Sequence, residues 1–274
     1  MSDVTGADHR FAHLRAVGLN QIEFAAALRK RVDRKYLLGD QSVADLVSSL
    51  PRSTRVLEVD GSRSLRYQTV YFDTPDRDIY LASARGRPQR YKVRTRTYLD
   101  SRTSFLEVKM RDRTGLTVKH RTPCPYDLTH TLTTSGQAFL TEFESVAPIV
   151  GRLEPSLVVT YRRTTLLDPE TMSRLTIDTA VEASTPCGEF VEVGDEVLVE
   201  TKTTLPPTAA DRRLWSRHHR PTTFSKYCTL LAAIEPRLPA NKWSRTLRRH
   251  LGWRPEAGTR QGEDVDSGVA VPQH

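Results

Sequence analysis

Lys92, Arg94, Arg96 and Tyr98 occupy every second position of the segment YKVRTRTYL, 91–99, so in an extended strand they project from one face. The alternation recurs twice downstream. FLEVKMR, 105–111, sets Glu107, Lys109 and Arg111 opposite Leu106, Val108 and Met110, and LTVKHR, 116–121, sets Thr117, Lys119 and Arg121 opposite Leu116 and Val118. Cations gathered on one sheet face repel one another unless an anion sits among them. The planar fork of Arg matches phosphate oxygens and Lys adds point charge, so the pattern suits several neighbouring phosphates. A solvated outer face of an antiparallel sheet gives similar alternation in any one strand. That alternative weakens across three consecutive strands in which Glu107 is the lone acid.

Later segments continue the pattern. Tyr161 shares a parity with Arg163, and Arg174 with Thr176 and Asp178. Over 196–203 the polar face turns acidic, with Glu196, Glu200 and Lys202 against Val197 and Val199. One or two carboxylates in a cationic groove are what a hard divalent ion bridging to phosphate oxygens needs, and Glu200 is the first choice of ligand. Ser225 can cap the helix that follows it, whereas Lys226 in the first turn opposes the helix dipole and calls for a bound anion or an exposed position.

These residues need a scaffold. Strand-like runs fall at 29–38, 65–73, 91–99, 105–111, 116–121, 157–167, 174–181 and 196–203, bounded mostly by turn residues. Eight strands are enough to close a barrel that holds one elongated ligand. Helices are expected over 41–50 with Asp40 as cap, from Thr74 and Pro75 to before Gly86, and over 136–150, 208–219, 225–234 and 241–251. The expected fold is α+β: an eight-stranded antiparallel β-barrel tunnel with flanking helices. The even spread of apolar segments places one domain over 21–253, with a loosely ordered segment 1–20 before it and a disordered tail 254–274 after it.

Composition narrows the function. The 274 residues carry a formal charge of +8, which attracts phosphates, nucleic acids or anionic membranes. Nucleic-acid readers set aromatic platforms beside a basic groove, but aromatics are only 7% here and the cationic strands hold few, so no nucleic acid is expected. The 3 cysteines, Cys124, Cys187 and Cys228, form no paired framework or CxxC motif and read as reduced thiols of a cytoplasmic protein. No apolar stretch approaches a membrane span or a secretion signal, so work at the inner face of a membrane would need a membrane-protein partner. Walker, dinucleotide, HExxH and GxSxG motifs are missing. His218 and His219 read as surface residues, and the basic helix near Trp243 as one packed onto the barrel.

In chain order the motifs DRKYLL, VYFDTPDRDIY, YKVRTRTY, FLEVK, GLTVKHR, TYRRTTL, RLTIDT, VETK and FSKY resemble the VTC domain. This is the polyphosphate polymerase domain of the CYTH, or triphosphate tunnel metalloenzyme, superfamily. The resemblance covers 29–231. It implies phosphate contacts from Lys35, Arg94, Arg96, Lys109 and Lys119, completed by Tyr161, Arg163, Arg174, Ser225 and Lys226, and Arg121 joins them as a substrate-binding candidate through the parity it shares with Lys119. Glu200 of VETK matches the family's metal-binding glutamate, with Mn2+ favoured over Mg2+. Lys92 and Arg111 match no family position firmly and are the cations least expected to touch phosphate. The chain departs from the wider superfamily in carrying Arg31, Asp33 and Lys35 where hydrolases have ExExK.

The activity this implies is transfer of the terminal phosphoryl group of a nucleoside triphosphate, ATP, to inorganic polyphosphate. Hydrolysis of inorganic or organic triphosphate in the same tunnel, and non-catalytic binding of polyphosphate or nucleic acid, are the alternatives. Acceptor, preferred metal and oligomeric state are left open by the sequence.

Overall fold

The computed structural model describes residues 9–26, 32–111, 117–203 and 207–254. The expected tail beyond Arg254 and the first residues of the strand expected from Arg29 lie outside them, as does Leu116. Eleven strands form one sheet among the described residues. They are β1 (Arg15–Val17), β2 (Val32–Leu38), β3 (Arg55–Leu57), β4 (Leu65–Asp73), β5 (Arg90–Tyr98), β6 (Thr103–Arg111), β7 (Thr117–Pro123), β8 (Glu154–Asp168), β9 (Ser173–Ser184), β10 (Phe190–Glu192) and β11 (Val197–Thr203). Helices α1 (Leu19–Ala26), α2 (Asp40–Ser48), α3 (Asp78–Ala84), α4 (Thr134–Thr141), α5 (Ala209–Ser216), α6 (Lys226–Ile234) and α7 (Ser244–His250) flank it.

The eight expected strands are the main path, in the order β2-β11-β9-β8-β4-β5-β6-β7, each pair antiparallel. The fold is α+β, as expected. Residues of all eight strands line one cavity, so the sheet curls into a tunnel. Among the described residues no ladder joins β7 back to β2, and the hydrogen-bonded circuit is open at that seam.

Alternation decides which face goes where. Val93, Leu106 and Val108 point away from Arg94, Glu107 and Lys109 and belong to a core closed by α3, α4, α6 and α7, which also takes in Leu157 and Val159 of β8. Tyr36, Leu38, Leu175, Ile177, Val197 and Val199 point into a second core under α2 and α5. Each buried aliphatic side chain contributes about 1.5–3 kcal/mol. Opposite parities face the tunnel. Gly136 lets α4 lie close on β6, since a Cβ there would meet Leu106 Cδ2 at 3.1 Å.

The helix ends show what the sequence pattern misses. Asp40 is the first residue of α2 rather than its cap, a place taken by Gly39, and its carboxylate binds Arg10 Nη1 at 2.5 Å. The helix expected from Thr74 starts at Asp78, because Arg77 adopts a left-handed φ of 60°. Buried Asp73 caps that turn from outside, accepting from the backbone N–H groups of Thr74, Ile79 and Tyr80 at 2.8–2.9 Å. The helix expected over 136–150 is α4 followed by a turn and a 3₁₀ segment, Ala147–Arg152. From residue 9 onward the segment expected to be loose is packed. Phe11 and Leu14 are buried in the second core, and β1 pairs with β3.

Candidate active site

Three buried or nearly buried carboxylates organise the tunnel cations. Glu107 on β6 accepts from Arg94 Nε and Nη2 on β5 at 2.9 and 2.7 Å, and from Lys119 Nζ on β7 at 3.1 Å. Asp178 on β9 accepts from Arg163 Nε and Nη2 on β8 at 2.6 and 2.8 Å, and is also ion-paired with Lys226 at the start of α6. Glu200 on β11 pairs with Lys202 at 2.6 Å and stands directly opposite Lys35 of β2. Burial acts to raise all three carboxyls, but the adjoining cations outweigh it and hold each below the usual carboxylate range. The anion that Lys226 requires is therefore supplied by Asp178. Ser225 caps α6 as expected, accepting from Cys228 N at 3.0 Å.

Cross-strand register sets the rest. Lys92, Lys109 and Lys119 lie directly opposite one another on β5, β6 and β7, a row of like charges that is unfavourable unless an anion joins it. Burial, with repulsion from Lys35 and Lys92, pushes the Lys109 amine down to about 7. Burial also lowers Lys92 and Lys119, and brings Lys202 to about 8 against the opposing pull of Glu200. Lys35 Nζ is aimed by a 2.8 Å bond to the carbonyl of Phe224, and Lys92 Nζ by one of 2.8 Å to Ser225 Oγ.

The cavity so enclosed measures about 290 Å³. Lys35, Arg94, Arg96, Lys109, Lys119, Arg121, Arg163, Arg174, Ser225, Lys226 and Glu200, named from the sequence, all line it. Tyr161 does not. Across β8 and β9 it faces two residues, Ala180 and Val181, in a bulge where Ala180 has a φ of 47°. Its ring stacks on Tyr67 at 5.2 Å and supports Lys226 Nζ at 4.3 Å and the Arg163 guanidinium at 5.2 Å. Burial would raise its phenol, but Arg96, Arg163 and Lys226 together lower it. Tyr161 thus props up cations.

Lys92, with Arg111 the cation least expected to touch phosphate, lines the cavity, and so do Lys202 and Asp33. Shared parity on β5, and spacing of two from Glu200 and Lys35, were the signals for them. Leu19, Ile22 and Glu23 of α1 also form part of the wall, and Glu23 reaches Arg121 at 3.5 Å. No sequence signal placed that helix. Glu196 faces elsewhere, bonded to His250 Nδ1 at 2.7 Å.

A divalent ion fits this chemistry only in company with a substrate. Among the described residues no group of three or more His, Cys, Asp or Glu could hold an ion by itself. Glu200 presents an ionised carboxylate to the cavity, with Asp33 on the adjoining strand. One or two carboxylates plus phosphate oxygens is the usual arrangement for such an ion.

A curled antiparallel sheet with a cationic interior braced by internal carboxylates defines a tunnel protein whose cavity favours anions. The VTC domain family matches over residues 30–235, and the chain belongs to that family. No curated protein matches the chain. Among solved structures it is similar to a proposed adenylate cyclase from Vibrio parahaemolyticus, with 15% identity over 75% of this chain and 99% of that one and a TM-score of 0.43. It is also similar to a Hippeastrum protein regarded as an adenylyl cyclase and found to have a dominant triphosphatase activity, with 16% identity over 73% and 94% of the two chains and a TM-score of 0.46. Among the described residues no helix is long and apolar enough to cross a membrane.

Proposed function

We propose that this protein is a polyphosphate polymerase-like phosphotransferase, moving the terminal phosphoryl group of ATP onto a polyphosphate chain in the tunnel. The observation that carries this reading is the set of tunnel cations held in place by buried carboxylates before any substrate arrives. In phosphoryl transfer negative charge spreads over the phosphoryl oxygens, and the attacking oxygen already belongs to a phosphate. Catalysis then reduces to aligning two phosphates and stabilising charge, which prepositioned donors do without reorganising during the reaction. Arg94 and Arg163, each tied to a carboxylate, present fixed guanidinium planes. Arg96 beside Arg94 on β5, Lys35 on β2 and Lys226 at the start of α6 add charge. A divalent ion, Mn2+ or Mg2+, held by Glu200 and phosphate oxygens, would neutralise part of the substrate charge.

The test is a product assay with ATP and manganese. Long polymer supports the reading, whereas orthophosphate or pyrophosphate alone replaces it with triphosphate hydrolysis. Removing one well-placed cation, as in Arg94→Ala, is expected to cost about 100- to 1000-fold in rate. Unchanged turnover in a folded Arg94→Ala protein would sink the assignment of that residue.

A further inference from the structure

Where β5 begins and β6 ends, a second cavity of about 250 Å³ opens beside the tunnel. Lys92, Lys109 and Ser225 line both cavities, which therefore adjoin, with the Lys92 Nζ–Ser225 Oγ bond of 2.8 Å at their boundary. The two walls differ in kind. The tunnel is dominated by cations, whereas the second cavity has a largely apolar wall that includes Tyr91, Met110, Phe224 and Trp243. Phe224 and Trp243 are buried, and Trp243 is braced by the Tyr80 ring at 5.6 Å. Arg90 and Lys242 also line it, with Lys242 Nζ bonded to the Ser83 carbonyl at 3.1 Å.

We infer that this second cavity seats the nucleoside of the nucleoside triphosphate whose phosphates lie in the tunnel, an inference that rests on the function proposed above. A phosphate chain has no apolar surface to bury and gains nothing from Tyr91, Met110 and Trp243. A nucleobase has two apolar faces and a polar edge, and fixed aromatic side chains are the usual platform for it. Lys242 and Arg90 supply donors for base or ribose oxygens at the same place. Lys92 and Lys109, shared by the two cavities, then meet the phosphates nearest the ribose. The site makes the protein select a nucleotide over inorganic triphosphate by contacts outside the tunnel.

The test compares ATP with inorganic triphosphate, titrated calorimetrically into the whole protein without divalent metal so that no turnover occurs. Tyr91→Ala removes an aromatic wall. Thr223→Trp, at an exposed position lining the cavity, fills the space without opening the core. Each variant is expected to weaken ATP about tenfold, the scale of one stacked base, while inorganic triphosphate stays within about twofold of wild type. Equal weakening of both ligands, or unchanged ATP affinity in the two variants, overturns the inference. Wild-type protein that binds inorganic triphosphate but not ATP overturns it and leaves the tunnel as a phosphate site. Binding of neither ligand overturns the proposed function as well.

Discussion

Glu107 exposes none of its side chain, and a single one of its carboxylate oxygens accepts both Nε and Nη2 of Arg94. The pair locks a guanidinium that would otherwise swing freely across the tunnel. Glu107→Gln leaves Arg94 charged and unbalanced in the interior, which is expected to destabilise the fold by about 3–5 kcal/mol. Lys119, closer to solvent, adds little to that figure. Inorganic triphosphate should restore part of the loss by taking the place of the missing anion. Chemical denaturation with and without triphosphate measures both effects, and a loss below about 1 kcal/mol would contradict the bracing role.

Glu200→Gln keeps the side-chain shape and removes the charge that pairs with Lys202. If Glu200 is the protein's contribution to a bound divalent ion, the metal concentration giving half-maximal turnover rises at least about tenfold, since even groups outside the ligand shell change metal affinity by roughly 10–100-fold. A metal titration that superimposes on wild type would remove Glu200 from that role.

The Lys109 amine, near 7 in the folded protein, gives the tunnel a pH dependence. In the unfolded chain a lysine stays protonated to about pH 10. Between those values the unfolded state binds more protons, so stability without ligand rises with pH across that window. Bound triphosphate favours the ammonium form, so binding at pH 8 takes up a proton and affinity falls as pH rises above 7. Lys202, at about 8, adds to the same trend. Titrations in buffers of different ionisation heat should show the uptake at pH 8, diminished in Lys109→Met. Proton release at that pH would refute the coupling.

Glu23 and Arg121 are both partly exposed at 3.5 Å, so their attraction is worth at most about 1 kcal/mol. Glu23→Ala should leave the melting temperature nearly unchanged. It removes a negative charge from the cavity wall, however, and so should tighten triphosphate binding by about two- to fivefold at low salt, an advantage that shrinks as salt is added. Weaker binding would mean that Glu23 supports the ligand rather than competing with it.

The alternating pattern by itself determines a great deal about this protein. Period two along β5, β6, β7 and β11 fixed which side chains share a face, because successive residues of a strand must point to opposite sides. Arg94, Arg96, Lys109, Lys119 and Glu200 were therefore legible as one surface, and Ser225 as a cap. The pattern is not enough where the backbone leaves its regular path or one side chain covers another. The left-handed Arg77 delays α3, whereas Tyr161 keeps its parity opposite Tyr67 and is held back from the cavity by Arg163 and Lys226 lying over its ring.

Pairing across the sheet is long-range and invisible to spacing. That Glu107 braces Arg94, that Asp178 answers Lys226, that Lys92 stands beside Lys109, and that α1 lines the tunnel all depend on which strands become neighbours. The sequence determined the charge that faces inward. The tertiary structure decided which charges are already neutralised by a buried carboxylate and which, left facing one another across strands, still need a phosphate, because that depends on register and not on residue type.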